Sequence, residues 1–254
     1  MKSPELDETT LARLKRASTP SIATLLHKRG FRNQYIQGVS CLGDQPRMVG
    51  PAFTLRYIPA REDLDVLEAF RDPSHPQRVA VETVPPGHVL VMDCRQDASA
   101  ASLGSILFTR LEVRGCAGVV TDGGVRDAAP IAAMATPCFA ARPSAPTNLT
   151  KHHALDIGVP IGCGGAAVYP GDILVGDGDG VMVIPAHLAR EIAEEAAGME
   201  AFEDFVLLEV KAGRPVIGTY PPNEETLDRF EAFKRGEYTP SASDTSNRRL
   251  EARA

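Results

Sequence analysis

An arginine and an aspartate stand side by side where an apolar run ends. Ala117 to Thr121 predicts a buried strand, Gly123-Gly124 a turn, and Arg126-Asp127 follows at once. Ligands in α/β folds bind at strand ends, because the sheet is rigid and the following loop is free to carry polar groups. A guanidinium can grip a carboxylate or stabilise an enolate oxygen, and a carboxylate can bind a hard divalent cation. The pair therefore indicates a binding site rather than a surface ion pair.

A second candidate is the stretch Ala100–Leu107, which places Gly104 and Ser105 at the opening of a predicted helix. Backbone amides at a helix start have no intrahelical acceptor and carry the positive end of the helix dipole. The amides at this helix opening can therefore bind a carboxylate or phosphate, although glycine with serine also forms a plain cap. One helix and one strand lie between this stretch and Arg126-Asp127, so the helix start and the strand end can face one cleft.

A third segment is rich in glycine and aspartate, with Pro170-Gly171-Asp172 followed by Asp177-Gly178-Asp179-Gly180. Aspartates in such a run could suggest calcium, but the twelve-residue EF-hand pattern is missing. The pattern favours tight turns around a hairpin formed by residues 173–177 and 181–185.

The remaining elements follow from hydrophobic spacing and turn residues. Two helices are predicted over 8–29, with a break and new N-cap at Ser18 to Ser21 and a glycine end at Gly30. Further helices are predicted at 64–70, 98–114 and 187–210, and further strands at 53–58, 88–93, 117–121, 137–140 and from 159 onward. These elements predict one α/β domain over residues 1–238, followed by a disordered tail over 239–254.

Composition narrows the class of protein. The 254 residues are 43% hydrophobic, which is enough for one large core, and the net charge of −6 argues against direct nucleic-acid binding. The five cysteines are widely spread without CxxC spacing, so neither a zinc site nor a disulfide framework is expected. No run approaches membrane-spanning length and the N-terminus has no apolar signal region, so a cytoplasmic protein without membrane contact is expected.

Taken together, the ordered motifs resemble those of the RraA-like family over roughly residues 18–190. The resemblance is carried by Gly104, by Gly115-x-x-Gly118-x-Val120-x-Asp122-Gly123-x-x-Arg126-Asp127, by Pro170-Gly171-Asp172 and by Asp179-Gly180-Val181. This family includes the regulator of ribonuclease E activity A and metal-dependent 4-hydroxy-4-methyl-2-oxoglutarate aldolases.

The resemblance implies a fold, an assembly and a set of roles. The fold class is α/β, with a β/β/α swivelling-type core and helical N- and C-terminal extensions, and the assembly is a homotrimer or a dimer of trimers with sites at subunit interfaces. By position, Asp127 would hold Mg²⁺ or Mn²⁺ largely through waters. Arg126 would stabilise a pyruvate enolate, and the Gly104–Leu107 amides would bind the substrate carboxylate. A metal with a guanidinium neutralises the enolate charge that carbon–carbon cleavage beside a ketone develops.

This chain departs from the aldolase pattern at Ser105, where the aldolases carry an aspartate. A hydroxyl can hydrogen-bond to a metal-bound water but supplies neither the charge nor the base strength of a carboxylate. His27 stands where the aldolases have a glutamate from the neighbouring subunit, and could be a general base, an added ligand or a plain helix histidine. Glu203 and Glu209 are candidates for a further acidic partner from the C-terminal helix.

The sequence therefore predicts a divalent-metal-dependent lyase, of aldolase or decarboxylase type, acting on a small 2-oxo acid. One alternative is a dehydratase or hydratase of sugar-derived acids using the same site. The other is a non-catalytic regulator that binds ribonuclease E. The added segments Ile58–Arg78 and the C-terminal part through Tyr238 favour an enzyme, because a minimal interaction module has no evident need of them.

Overall fold

The computed structural model describes residues 6–44 and 47–241. The chain divides into two compact units, Met1–Ala196 and Ala197–Ala254. Residues 242–254, most of the segment predicted to be a disordered tail, lie outside the described residues. In the described ranges, no helix combines the length and apolar character needed to cross a bilayer.

Seven α-helices and eleven strands can be assigned in the described residues. The helices are α1 Glu8–Leu14, α2 Thr19–Lys28, α3 Pro76–Thr83, α4 Ser105–Val113, α5 Ala128–Ala132, α6 Ala189–Lys211 and α7 Glu224–Lys234. The strands are β1 Ser40–Cys41, β2 Met48–Pro59, β3 Val89–Asp93, β4 Ala101–Leu103, β5 Gly118–Val125, β6 Cys138–Pro143, β7 His152–Ile157, β8 Ile161–Cys163, β9 Ala166–Val168, β10 Ile173–Asp177 and β11 Gly180–Ile184. Short 3-10 helices lie at Leu67–Arg71, Asn148–Thr150 and Ala186–Leu188.

The first unit is built on a nine-stranded mixed sheet. Its main path runs β1-β6-β5-β3-β2-β10-β11, with β4 added beside β5 and β7 beside β2. The central pairs β2–β3, β3–β5 and β5–β6 are parallel, whereas β10 pairs antiparallel with both β2 and β11. Parallel strands are buried on both faces, and β5 accordingly has no exposed residue along its length.

The hydrophobic core lies on both faces of this sheet. On one face, α3 and α4 bury Ala80, Phe108 and Leu111 against strand residues such as Leu90 and Val119. The other face is covered by β8 and β9 and by the chain before β1, with residues that include Ile36, Cys163 and Val168. Cys94, Cys116 and Cys138 are buried, as the apolar runs around them predict, and Cys163 is buried as well. Burial in apolar surroundings raises the pKa of each of these four thiols, so they stay protonated at neutral pH.

The N-terminal helices form as predicted. Ser18 is the N-cap of α2 and accepts a hydrogen bond from the Ser21 amide, with Pro20 in the first turn. Gly30 follows the helix at φ +85°, the left-handed conformation that suits glycine after a helix end. The hairpin of β10 and β11 is also confirmed, since Asp177 pairs with Gly180 across a two-residue turn.

Three predicted elements differ from the structure. The helix predicted over 98–114 opens at Ser105, as the Gly104-Ser105 pair indicated, but residues 101–103 before it form β4 beside β5. The helix predicted at 64–70 is a 3-10 helix over Leu67–Arg71, and the neighbouring α3 was not predicted. The strand predicted at 117–121 continues to Val125 through Gly123 and Gly124, where the sequence indicated a turn. At β4 and at the end of β5, pairing between strands overrides the local signal.

The second unit contains the end of α6 and the whole of α7. Phe202, Phe205, Phe230 and Phe233 form an aromatic cluster with ring centroids 5.1–6.4 Å apart. The fully buried Glu209 carboxylate pairs with the guanidinium groups of Arg214 and Arg229 and accepts a hydrogen bond from the Tyr238 hydroxyl. Two cations and a hydroxyl satisfy this carboxylate, so it is part of the internal structure of the unit.

Candidate functional site

The two predicted halves of the site lie at the ends of neighbouring parallel strands. Leu103 at the end of β4 is paired with Val125 at the end of β5, and the Arg126 amide donates to the Leu103 carbonyl over 2.9 Å. Because the strands are parallel, the residues that follow them emerge at the same edge of the sheet. Helix α4 starts there after Gly104, directly beside Arg126 and Asp127.

Asp127 bonds directly to the start of α4. Its Oδ2 accepts hydrogen bonds from the Ser105 hydroxyl at 2.8 Å and from the Ser105 amide at 3.2 Å. Gly104 leaves room for this approach, since a Cβ at that position would lie in tight contact with Asp127 Oδ2 at 3.2 Å and 3.4 Å from the Arg126 Cβ. Asp127 itself adopts φ +57°, a left-handed conformation that aspartate tolerates better than most residues.

The electrostatics of this contact favour the ionised carboxylate. The two hydrogen bonds from Ser105, with a smaller contribution from the Arg126 charge, lower the pKa of Asp127 below its ordinary value. Both hydrogen bonds go to Oδ2, and in the described residues Oδ1 has no hydrogen-bond partner. An exposed, ionised carboxylate therefore presents one oxygen to whatever lies at this edge.

Two further groups at this edge are available to an anion. The Arg126 guanidinium is exposed and has no hydrogen-bond or ion-pair partner in the part of the chain that the structure describes. The amides of Ile106 and Leu107 lie in the first turn of α4, where amides have no intrahelical acceptor. The Ser105 amide, also predicted to bind substrate, is instead shared with Asp127.

These residues line one cavity of about 290 Å³, at the small end of the range for ligand pockets. Its walls include all the predicted substrate-binding positions Gly104–Leu107 together with Arg126 and Asp127. They also include residues that sequence analysis missed: Phe70, Gln77, Arg78, Thr147 and Asn148. Of these, only Phe70, Gln77 and Arg78 carried any signal, because they lie in the added segment Ile58–Arg78.

The donor set permits a divalent cation only with help from other ligands. In residues 6–44 and 47–241 no three His, Cys, Asp or Glu side chains are grouped closely enough to hold a metal ion. Asp127 Oδ1 is one free anionic oxygen, and Mg²⁺ commonly binds one or two carboxylates while keeping several waters and substrate oxygens. The residues therefore fit a hydrated Mg²⁺ or Mn²⁺ held by Asp127, and Ser105 adds no second charge.

His27 and the glutamates lie elsewhere in the chain. His27 is exposed on α2 and lines a different depression, together with Phe31, Arg32 and Tyr35. Glu209 is engaged in the ion pairs of the second unit. Burial and the nearby Glu200 charge raise the pKa of Glu203.

The other aspartates of the sequence motifs stabilise turns. Asp172 accepts hydrogen bonds from the Tyr169 and Ala186 amides, and Asp177 accepts from the Thr19 amide and hydroxyl. Asp122 is 2% exposed and accepts from the amides of Cys94, Gln96 and Gly164 at 2.6–3.0 Å. Burial nevertheless raises the pKa of Asp122 above the ordinary value. Within the Gly-Asp segment, the Tyr169–Asp172 contact and a hydrogen bond from the Asp179 amide to Asp177 support the interpretation of tight turns.

Comparison with known proteins gives consistent matches. A model of the RraA-like family, described as Aldolase/RraA, matches residues 19–183. A Halalkalibacterium halodurans protein named "Putative 4-hydroxy-4-methyl-2-oxoglutarate aldolase" is 32% identical over 163 residues, which span 64% of this chain and 71% of that protein.

Solved structures agree. Streptomyces coelicolor RraAS2, described as an unusual member of the RNase ES inhibitor RraA protein family, matches with a TM-score of 0.69 and 30% identity. The match covers 79% of this chain and 96% of RraAS2. A Pseudomonas syringae pv. tomato protein shares the fold at a TM-score of 0.73 and 23% identity, over 85% and 98% of the two chains. The predicted fold class is confirmed: a mixed α/β fold with a nearly closed, barrel-like sheet and additional helices at the C-terminal end.

Proposed function

Because this chain belongs to the RraA-like family, we propose that it is a divalent-metal-dependent lyase that cleaves a small 2-oxo acid through an enolate. The observation that carries the proposal is the single cavity in which Arg126 and Asp127 meet the first turn of α4. An exposed guanidinium, a free carboxylate oxygen and unpaired helix amides are the groups that binding and cleaving such an acid requires.

The cleavage follows from these positions. The Ile106 and Leu107 amides bind the carboxylate beside the ketone, which orients the substrate at the start of α4. The C3–C4 bond of a 4-hydroxy-2-oxo acid then breaks, and its electron pair moves toward the C2 carbonyl to form an enolate. Arg126 donates hydrogen bonds to the enolate oxygen, which carries more charge than the ketone oxygen, so its contribution is larger in the transition state. The 4-hydroxyl proton leaves to a base, and C3 of the enolate takes up a proton to give pyruvate.

Asp127 would hold the cation through Oδ1. When bound, Mg²⁺ or Mn²⁺ supplies Lewis-acid stabilisation of the developing oxygen charge. The hydrogen bonds from Ser105 fix the position of the Asp127 carboxylate and keep it ionised. Ser105 thus acts on the site through Asp127, by orienting the side chain that would bind the cation.

The roles assigned so far within one chain do not include the base that takes the 4-hydroxyl proton. His27 is a candidate if another copy of the chain contributes it, in a homotrimer or a dimer of trimers. Complementation tests this directly: Asp127→Asn and His27→Ala subunits, each inactive alone, should regain activity when unfolded and reassembled together. If mixed assemblies stay inactive while sedimentation shows a trimer, His27 is not the base.

The main experiment measures pyruvate release from 4-hydroxy-4-methyl-2-oxoglutarate and from oxaloacetate with added Mg²⁺ or Mn²⁺. Activity should require the metal, disappear with a chelator and be lost in Arg126→Met. A control variant, Arg16→Met, removes an exposed arginine that lines neither this cavity nor the depression around His27, and it should retain activity. Activity that survives both chelation and Arg126→Met would overturn the proposed mechanism. Release from oxaloacetate alone would identify a decarboxylase, and consumption of sugar-derived acids without carbon–carbon cleavage would identify a dehydratase.

A second candidate is a non-catalytic regulator of ribonuclease E. It is favoured by the 30% identity with RraAS2 across 96% of that chain and by Ser105 in place of the aldolase aspartate. Inhibition of RNA cleavage by purified ribonuclease E, unchanged in Arg126→Met, together with no lyase activity, would support this alternative.

A further inference from the structure

One wall of the cavity comes from residues outside the predicted reaction site. Phe70 lies in the 3-10 helix Leu67–Arg71, Gln77 and Arg78 lie in the first turn of α3, and Asn148 lies in a short 3-10 helix. None of these residues has been assigned a role in binding the enolate or the cation. They provide a second polar surface facing the same cavity.

Arg78 is held in place without a charged partner. Its guanidinium carbon lies 4.5 Å from the centroid of the Phe70 ring, a stacked cation–π contact. In the described ranges the Arg78 guanidinium makes no ion pair with a carboxylate. Stacking uses the face of the guanidinium and leaves the N–H groups in its plane free to bind an anion.

Two buried amide side chains that line the same cavity as Arg78 also have unused hydrogen-bonding capacity. Gln77 is 2% exposed; its Nε2 donates to the Ser102 carbonyl at 2.5 Å, and its Oε1 has no partner. Asn148 is 4% exposed, and its Nδ2 donor has no partner. Buried polar atoms are nearly always paired, so a wall with two unpaired amide atoms is typical of a surface that a polar ligand completes.

The cavity also has more positively charged side chains than one substrate carboxylate requires. The charged lining residues are Arg78, Arg126 and Asp127, which leaves one net positive charge before any cation binds. Arg126 and the α4 amides meet the carboxylate and the carbonyl of the 2-oxo acid end. Arg78 remains for a second anionic group.

We propose that Arg78 is a specificity-determining residue that binds the carboxylate at the far end of the substrate, assisted by the Asn148 Nδ2 donor. This inference rests on the proposed function, since it assigns the reacting end of the acid to Arg126. The Gln77 bond to Ser102 anchors the first turn of α3 and so positions Arg78. Arg78, a residue of the added segment, thus sets the preference for dicarboxylic over monocarboxylic 4-hydroxy-2-oxo acids.

Two pairs of compounds that differ only in the far carboxylate test this. For catalysis the pair is 4-hydroxy-2-oxoglutarate and 4-hydroxy-2-oxopentanoate, compared by kcat/KM for pyruvate release. For binding the pair is 2-oxoglutarate and 2-oxopentanoate, compared by calorimetry with Mg²⁺ present. The protein should prefer the dicarboxylic member of each pair by roughly 10- to 100-fold, the size of one charge-assisted contact.

The variant Arg78→Gln should bring that preference close to one. The matched control is Arg71→Gln, because Arg71 is exposed in the same segment and does not line the cavity. It should retain the full preference. Thermal unfolding of both variants checks that the segment stays folded, and Asn148→Leu offers a second variant that should weaken the preference severalfold.

The outcomes separate the two proposals. If no compound yields pyruvate but 2-oxoglutarate binding depends on Arg78, the lyase proposal fails and the assignment of Arg78 stands. If pyruvate is released with equal preference in the unmodified protein and in Arg78→Gln, the assignment fails and the lyase proposal stands. Equal binding of both acids by the unmodified protein likewise overturns the role of Arg78.

Discussion

Two aspartates five positions apart in one segment have opposite surroundings. Asp122 lies within β5, is buried, and accepts three backbone hydrogen bonds from two separate loops. Asp127 lies just past the end of β5, is exposed, and accepts hydrogen bonds from one residue, Ser105. The pKa of Asp122 is raised by burial, whereas the pKa of Asp127 is lowered by its hydrogen bonds.

The difference shows that a carboxylate within a strand serves the structure, whereas one just after the strand end is available to a ligand. Inside the sheet a carboxylate can only be tolerated if the backbone satisfies it, and it then ties the loops at Cys94–Gln96 and Gly164 together. One step beyond the sheet, a carboxylate keeps a free oxygen and can bind a ligand. The same substitution, aspartate to asparagine, should therefore reduce activity at Asp127 and reduce stability at Asp122.

The largest expected effect is on activity in Asp127→Asn. Asparagine tolerates the left-handed backbone and can still accept from Ser105, but it lacks the charge that would hold a cation. We expect kcat/KM for metal-dependent pyruvate release to fall roughly 1000-fold, as when a key electrostatic group is removed. The urea midpoint should stay unchanged, and a large drop in that midpoint would show that Asp127 is structural.

Asp122→Asn should instead lower the stability of the folded protein. Its NH2 group would face backbone N–H groups that now donate to a carboxylate, so we expect the free energy of unfolding to fall by about 2 kcal/mol. Urea denaturation measures this, with Asp63→Asn as a control because Asp63 is exposed and outside these contacts. Activity of the folded fraction should change only severalfold. Loss of activity comparable to Asp127→Asn, without loss of stability, would contradict the comparison.

The unmodified protein and Asp122→Asn together test how stability depends on pH. Since the pKa of Asp122 is raised in the folded state, the folded chain binds the proton more tightly than the unfolded chain. Its contribution to the unfolding free energy therefore decreases as pH rises from the ordinary aspartate value through the raised pKa. Asp122→Asn cannot titrate, so its stability curve should lack this decrease in urea titrations between pH 4 and 7.

A smaller effect is expected at Ser105. Placing a second carboxylate beside Asp127 with Ser105→Asp should raise Mn²⁺ affinity by roughly tenfold, because two anionic oxygens bind a hard cation better than one. Ser105→Asn, of similar size without charge, serves as the control. Equal Mn²⁺ titrations of both variants would show that the cation is not held at Asp127.

The smallest effect is expected from Ser105→Ala. Removing the hydroxyl removes the largest cause of the lowered pKa of Asp127, so that pKa should rise toward the ordinary value. The acid limb of activity should move to higher pH, while activity at neutral pH changes by no more than about threefold, since Asp127 stays ionised there. An acid limb that moves to lower pH would contradict the assigned role of Ser105.

Much of the site could be predicted from the sequence because its residues are close in the chain and follow recognisable strand and helix patterns. The segment around Arg126-Asp127 and the stretch around Gly104-Ser105 each carry a local signal. Arg78 and Asn148 could not be predicted, because an arginine in a helical turn and an asparagine after a loop have no local pattern that points to a cavity. Strand β4 was missed for a similar reason, since three residues acquire strand structure only by pairing with β5.

The sequence by itself determined which chemical groups the two motifs, Gly104-Ser105 and Arg126-Asp127, bring to the site. Residue type and spacing fix which atoms a helix start and a strand end can present. Only the tertiary structure decided how they are combined. The pairing of β4 with β5 brings Ser105 to 2.8 Å from Asp127, and the fold of the added segment turns Arg78 toward the same cavity. Contacts between residues distant in sequence depend on strand register and packing, and these are properties of the whole chain.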